Sequence, residues 1–332
     1  MEKLMLIDGN SILNRAFYGL QGPQLLTAAD GLHTNAIYAF LNILNKYLAE
    51  EDPRYICVAF DLKAPTFRHR EFADYKANRK GMPPELAEQV PYTKEILDAM
   101  NIKRLEMEGF EADDIIGSVS KCAEDSEMQV VIVTGDRDSL QLASEKTRII
   151  IPVTRAGRTE TEYYDAAAVF ERYGVTPAQL IDVKALMGDK SDNIPGVPGI
   201  GEKTALELIQ AYGTLEGVYE NIDKVSKKSV REKLEANREL AFMSRRLATI
   251  DRNMPELCSL DELKRKEFDN DRLYKLFNRL GFRSLIEKFG LDIKERINVV
   301  RAELPEFTAV DDPIALADLA ASMAEAKEIS IC

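Results

Sequence analysis

Histidine is nearly missing from this 332-residue sequence, which holds His33 and His69 and no others. A zinc site built on several histidines is therefore not expected, although a single catalytic histidine stays open. Cysteine is scarce as well. Cys57, Cys122, Cys258 and Cys332 form no CxxC pair, which argues against a zinc ribbon or a thioredoxin-type motif. Cys57 and Cys122 lie in apolar runs and are expected as buried, reduced thiols. No stretch approaches the ~18 consecutive apolar residues of a membrane span. The start, MEKLMLIDGN, lacks the apolar run and cleavage site of a secretory signal. The expected setting is the cytoplasm, with no membrane partner and no feature that demands more than a monomer. Basic charge is also in deficit, the formal net charge being −12. Taken globally this speaks against a nucleic-acid binder, but binding depends on local patches. Acids gathered around metal ions also lose much of their repulsion once the ions are bound.

What is present is an alternating pattern. Leu4–Ile7, Tyr55–Phe60, Val130–Val133 and Arg148–Ile151 are short apolar runs that read as buried strands. Helical patterns over 34–50, 84–100 and 112–125 lie between them, so an α/β unit with a mainly parallel sheet is expected. After about residue 165 the pattern turns helical. Helices are expected over 165–173, 177–187, 202–212, 229–248 and 270–289, with Gly174, Gly188 and Gly213 ending the first three. Residues 295–313 read as a linker. An amphipathic stretch and a strand-like ending follow, so that the chain reads as a fragment of something longer. Neither an internal repeat nor a low-complexity tract is seen.

The first strand ends in Asp8, the second in Asp61, and the third in Asp136 followed by Asp138. Ligands of open parallel sheets bind beyond the carboxyl ends of the strands. One such Asp is an ordinary turn residue; three strands each delivering one are harder to assign to chance. A second cluster is Glu111, Asp113 and Asp114 at the start of a helix, with Glu111 and Asp114 on one face. The helix dipole accounts for one or two acids there, but not for the Ile115-Ile116 pair that follows and suggests a buried helix aiming acids into a site. A third cluster, Asp189 and Asp192, is equally compatible with loop capping. Nine acids packed together would repel and raise one another's pKa. Hard divalent ions with oxygen ligands, Mg²⁺ or Mn²⁺, are their natural partners. Two such ions form the arrangement that cleaves phosphodiesters without a histidine base.

The segment 63–80 carries six Lys/Arg against two acids, with Phe67, Phe72 and Tyr75 interleaved. It suits a nucleic-acid strand, although a solvated helix face explains it slightly better when taken alone. Gly196-Val197-Pro198-Gly199-Ile200-Gly201-Glu202-Lys203-Thr204 resembles a helix–hairpin–helix, whose amides cradle a DNA phosphate without reading sequence. It follows no strand and lacks P-loop spacing; a merely structural turn is the alternative. Residues 223–246 add eight Lys/Arg against four acids, as a DNA-facing surface or a solvated one.

Together these segments resemble the 5′ nuclease domains of bacterial DNA polymerase I, within the wider flap endonuclease family. LIDGNSILNRAFY, VAFDLKAPTFRHREFADYKANR, GFEADDIIG, VTGDRDSLQL and LMGDKSDNIPGVPGIGEKTA carry the resemblance, over roughly residues 3–290. It implies a PIN-like, mainly parallel sheet domain over 1–165 with a helical arch at about 66–90. A helical DNA-binding subdomain follows over 166–292, and 293–332 holds a linker and the opening of a proofreading-exonuclease-like module. It also implies that Asp8, Asp61, Glu111, Asp113, Asp136 and Asp138 sit nearest a first divalent ion, and that Asp114, Asp189 and Asp192 bias a second. Lys76 and Arg79 would act on the scissile phosphate. Arg15, Tyr18 and Arg70 would contact the strand, and Gly196, Gly199, Gly201, Lys203 and Thr204 the duplex, with K⁺ as a companion ion at the hairpin. The implied activity is 5′-3′ exonuclease or flap endonuclease cleavage of DNA flaps, nicked duplexes and RNA primer–DNA hybrids. The implied setting is replication and repair, with a polymerase domain in cis. Competing readings are a PIN-type ribonuclease, a DNA-binding module with a dead site, and a metal-dependent phosphatase, which would not need the hairpin.

Overall fold

The computed structural model describes residues 2–20, 26–155, 158–255 and 259–291, with a few positions between 312 and 323. Most of the expected linker and of the module after it, with Cys258 and Cys332, lies outside the described residues. Six strands form one sheet: β1 Lys3–Asp8, β2 Tyr55–Ala59, β3 Lys103–Leu105, β4 Gln129–Val133, β5 Thr147–Arg155 and β6 Arg158–Tyr164. Their order is β3-β2-β1-β4-β5-β6. The first five run parallel and β6 pairs antiparallel with β5. The order reverses between β1 and β4, and this is the edge where open parallel sheets leave a crevice.

Period-two alternation divides the strands between two cores. Met5, Ile7, Ile56, Val58, Val131, Val133 and Ile150 face one side. Leu4, Leu6, Cys57, Ala59, Val130, Ile132, Ile149 and Ile151 face the other. Both faces are covered, which is why these strands read as unbroken apolar runs.

Helices α1 Gly9–Gly19, α2 Asn35–Glu51, α3 Phe67–Glu71, α4 Pro84–Ala87, α5 Gln89–Ala99 and α6 Ala112–Asp125 connect the strands. A helical layer follows: α7 Ala166–Tyr173, α8 Pro177–Met187, α9 Glu202–Tyr212, α10 Leu215–Glu220, α11 Lys228–Ala236 and α12 Arg238–Ala248. It has its own core around Val183, Val197, Ile200 and Leu208.

Several elements differ from the sequence expectation. β3 and β6 were not expected. β3 is a three-residue edge strand, Lys-Arg-Leu, and β6 alternates charged residues, so neither forms an apolar run. The single helix expected over 229–248 is broken at Asn237 into α11 and α12. The helix expected over 270–289 is broken at Gly281, whose φ of 75° ends α13 Asn270–Leu280 before α14 Arg283–Lys288. Both α13 and α14 pack into the first sheet core through Leu273, Phe277, Phe282 and Leu285. The chain thus returns to the sheet rather than extending the helical layer. Cys57 is buried as expected, but Cys122 is exposed, because it lies on the outer face of α6. The expected arch is helical in α3, α4 and the first residues of α5; residues 72–83 are turn and coil.

Candidate active site

Asp8 ends β1 and is 5 % exposed. Its carboxylate accepts from the Ser11 amide at 2.9 Å, capping α1, and from the Thr134 hydroxyl at 3.1 Å. Thr134 follows β4, and its hydroxyl also accepts the Asp136 amide at 3.0 Å. Asp136 in turn accepts the Asp138 amide at 2.9 Å. Asp8 and Asp136 therefore flank the point where strand order reverses. Asp61, just beyond β2, accepts the Ala112 amide at 2.8 Å and so fixes the start of α6, whose first turn carries Asp113.

These carboxylates press on one another. Burial, then Asp61 and Asp136, pushes the Asp8 carboxyl up to about 7. Burial, then Asp8, Asp136 and Asp61, raises Asp113 well above the ordinary range. Desolvation followed by Glu111 raises Asp61, against the Ala112 amide and Lys76. Among the described residues no Lys or Arg forms an ion pair with Asp8, Asp61, Asp113 or Asp136.

The remaining acids are each held by a cation. Asp114, fully buried, meets Arg68 through two bonds of 2.7 Å and accepts the Glu111 and Asp251 amides at 3.0 and 2.8 Å. Each Asp114 oxygen thus takes one guanidinium and one amide N–H, which ties the start of α6 to α3. Arg68, 2 % exposed, also donates to the Leu247 and Thr249 carbonyls, pinning α3 to α6 and to the end of α12. Glu111 takes Lys76 at 2.8 Å. Asp192 takes Arg79, and the Tyr75 hydroxyl lies 3.0 Å from Glu111 and 3.2 Å from Asp192. Asp138 and Asp189 share Lys184, at 2.6 Å from Asp189. Burial raises Asp189, but Lys184 and Ser191 outweigh it and bring it down to about 2. Asp138 is raised to about 7, by burial and then Asp136, in spite of Lys184.

The turn over residues 72–79 lies on the 189–193 loop. The Lys76 amide donates to the Asp192 carbonyl at 2.9 Å, Asn78 to Lys190 and Asn193 to Asp74. Lys76 and Asn193 both have φ of 56°, a left-handed conformation that costs about 1–3 kcal/mol in a non-glycine residue and gathers at functional sites. Sequence reasoning missed Lys184 and Thr134, and it noted Arg68 only as one of six cations and Tyr75 as one aromatic among several. Asp114 lies 46 residues from Arg68 and Asp138 46 residues from Lys184, so no local spacing reveals those two pairs.

The expected DNA contacts are scattered. Tyr18 is 56 % exposed and stacks edge-on against Phe17, and Arg15 lies beside Gly135 at the crevice. Arg70, Gly199, Gly201 and Lys203 are exposed and Thr204 is half-buried. Gly196 is not a surface contact. It is buried, its amide bonds Ser244, and a Cβ there would lie 2.2 Å from the Gly188 amide nitrogen. Its missing side chain serves loop packing. The hairpin between α8 and α9 is present, closed by the Asp189–Ile194 bridge and the Ile200-to-Val197 turn. Neither histidine enters the site. His69 bonds Thr66 in the cap of α3, and His33 pairs with Glu88.

Among the described residues no three acids converge into a ready-made ion cage. The chemistry of the donor set still fits hard divalent ions, because Asp8, Asp61, Asp113 and Asp136 are crowded carboxylates that form no direct ion pair among the described residues. No described helix is long and apolar enough to cross a membrane.

Comparison with known proteins places this arrangement. The chain is 47 % identical over 294 residues to DNA polymerase I of Bacillus subtilis, covering 89 % of this chain and 33 % of that protein. It is 46 % identical over 306 residues to DNA polymerase I of Caldicellulosiruptor bescii, covering 92 % and 36 %. The chain thus spans about a third of the length of these relatives. Among solved structures, T5 5′-exonuclease with bound zinc aligns with a TM-score of 0.62 at 23 % identity, over 84 % of this chain and 100 % of that one. The catalytic core of Rad2 in complex with DNA aligns with 0.53 at 19 %, over 84 % and 89 %. At such identities the structures establish the shared fold. The family described as 5′-3′ exonuclease, N-terminal resolvase-like domain, matches residues 3–174, and its C-terminal SAM fold matches 175–271. On that match, spanning the acid edge of the sheet and the hairpin, the chain belongs to the 5′-3′ exonuclease family.

Proposed function

We propose that the chain is a structure-specific 5′ nuclease that hydrolyses DNA phosphodiesters at 5′ ends and flaps with two divalent ions, Mg²⁺ or Mn²⁺. One observation carries the reading: Asp8, Asp61, Asp113 and Asp136 stand at the reversal point of the sheet without a cation of their own, beside the turn that bears Lys76 and Arg79. When bound, divalent ions would lower the pKa of an attacking water and offset charge on the phosphate. Asp8, Asp61, Asp113, Asp136 and Asp138 would hold them, with Glu111, Asp189 and Asp192 at the margin. Burial opposes charge on Lys76, but Glu111 and Asp192 outweigh it and raise its pKa, so the side chain stays cationic through neutral pH. Lys76 and Arg79 would exchange their carboxylates for the scissile phosphate and steady its developing charge. Arg15, Tyr18 and Arg70 would guide the strand, and Gly199, Gly201, Lys203 and Thr204 would grip the duplex backbone.

The T5 flap endonuclease and Rad2 structures were determined with DNA, which supports a DNA substrate here. The relatives are DNA polymerases, which supports a polymerase in cis and work on flaps, nicked duplexes and RNA primer–DNA hybrids during replication and repair. The test is cleavage of a 5′-labelled flap duplex in Mg²⁺, with and without EDTA, beside a single-stranded RNA. Metal-dependent release of the flap near the junction is expected. Cleavage of RNA alone would point to a ribonuclease, and binding without cleavage to a DNA-binding module.

A further inference from the structure

Two asparagines join the turn that bears Lys76 and Arg79 to the loop that bears Asp189 and Asp192. Asn78 donates from its side-chain amide to the Lys190 carbonyl at 2.6 Å, and Asn193 donates from its own to the Asp74 carbonyl at 2.7 Å. Between them the Lys76 amide donates to the Asp192 carbonyl at 2.9 Å. Each segment thus gives a side-chain amide to the main chain of the other. Both acceptors are carbonyls, so each asparagine must present its NH₂ group. None of the three bonds uses a charge, so all can persist while Lys76 and Arg79 exchange a carboxylate for a phosphate.

The two sides of this contact are not equally firm. The loop is closed on itself: Asp189 accepts the Ser191 amide at 2.7 Å, and Asp189 and Ile194 exchange backbone bonds of 2.8 Å. The turn has only short-range bonds of its own, from Tyr75 to Phe72, Ala77 to Asp74 and Arg79 to Lys76, which shape it but do not seat it. Tyr75, 3 % exposed, anchors it below against Ile194 and Leu247. Lys76 then adopts φ 56°, a conformation that a lysine keeps only where its surroundings hold it. That backbone turns its ammonium inward to Glu111. Asn193 has the same φ at less cost, since asparagine tolerates the left-handed region.

We infer that Asn78 and Asn193 are positioning residues. Their reciprocal clasp holds Lys76 in its left-handed conformation and keeps Lys76 and Arg79 over the acids before any DNA is bound. Neither asparagine touches the reacting atoms. This rests on the reading that places Lys76 and Arg79 at the scissile phosphate.

The test compares the 332-residue chain with Asn78→Ala, Asn193→Gly and the double variant. Glycine keeps the left-handed backbone at 193 and removes only the side chain. Amide hydrogen exchange across residues 74–80 in EDTA reads the clasp, and single-turnover flap cleavage at saturating DNA in Mg²⁺ reads the positioning. Each single variant should lower protection of the Lys76 amide on the order of fivefold, the net worth of one hydrogen bond, and the double variant on the order of 25-fold. The double variant should cleave on the order of tenfold more slowly, with its flap-duplex Kd in EDTA within about twofold of wild type. Its thermal melt should stay cooperative, which separates a loosened turn from a failed fold. Unchanged protection in the double variant would overturn the clasp. Lost protection with wild-type cleavage, or weaker binding with an unchanged rate, would overturn the positioning role. Wild type failing to cleave a flap would instead remove the nuclease reading on which the inference stands, and the exchange result would still decide the clasp.

Discussion

Two sets of carboxylates share one edge of this molecule, and they are treated differently. Asp8, Asp61, Asp113 and Asp136 have backbone amides and hydroxyls for company. Glu111, Asp114, Asp138, Asp189 and Asp192 each touch a lysine or arginine. The outer set is neutralised from within by these cations. The inner set is crowded with like charge and has no direct ion pair among the described residues, the fields of Lys76 and Arg79 only partly offsetting it. Folding and chemistry are thereby divided between acids that look alike in sequence.

The division breaks first at Arg68. Its pair with Asp114 is almost wholly enclosed, and removing one partner strands a buried charge at a cost of about 3–5 kcal/mol. Arg68→Ala should lose stability of that order in urea unfolding. Replacing both partners together with apolar residues should recover most of it. Arg68→Ala behaving as a neutral surface change would place Asp114 among the acids that need an outside cation.

The inner set gives the opposite sign. Asp8→Asn keeps the shape and can still accept from the Ser11 amide through its one oxygen, with its NH₂ donating to the Thr134 hydroxyl, but removes a charge that the folded chain holds at a disadvantage. Flap cleavage in Mg²⁺ should drop about a hundredfold or more, while stability in EDTA at pH 8 should rise on the order of 2 kcal/mol. The pH dependence has a definite direction. The Asp8 and Asp138 carboxyls are raised from 3.8 to about 7, so between about pH 4 and 7 the folded chain binds more protons than the unfolded one. Without divalent ions, stability should therefore fall as pH rises through that window. Asp8→Asn should flatten part of that fall, which thermal melts across pH would show. A destabilised Asp8→Asn would mean that the inner charges are already compensated.

How much of this was legible in the sequence follows the reach of each interaction. Asp8, Asp61 and Asp136 are set by strand ends, and a strand's apolar run announces its own end. The hairpin was legible for the same reason, since its glycines and Ile200 are neighbours in the chain. Asp113 and Asp114 were separated only through the resemblance, not by the residues themselves. Adjacent helical residues point about 100° apart, and only the position of Arg68 shows that one faces the crevice and the other faces away. Gly196 was misread because the residue crowding it, Gly188, belongs to the other arm of the hairpin. β3 and β6 were invisible because edge strands need no apolar run on both faces.

Lys184 tests the comparison most finely, because it touches both chemistries. It reaches out of α8 to Asp138, which ends the inner line of acids, and to Asp189 in the loop beyond. A fixed ammonium there competes with any divalent ion for the same oxygens. Lys184→Met keeps the unbranched chain and removes only the charge. Cleavage should then reach half its maximum at about threefold to tenfold less Mg²⁺, a change of roughly 1 kcal/mol. The EDTA melting temperature should fall slightly as Asp138 and Asp189 lose their counter-ion. A higher Mg²⁺ requirement would mean that Lys184 holds Asp138 in a ligating pose, an organiser and not a competitor. The boundary between self-compensated and ion-seeking acids would then run between Asp138 and Asp189, with Asp138 joining the four that wait for metal.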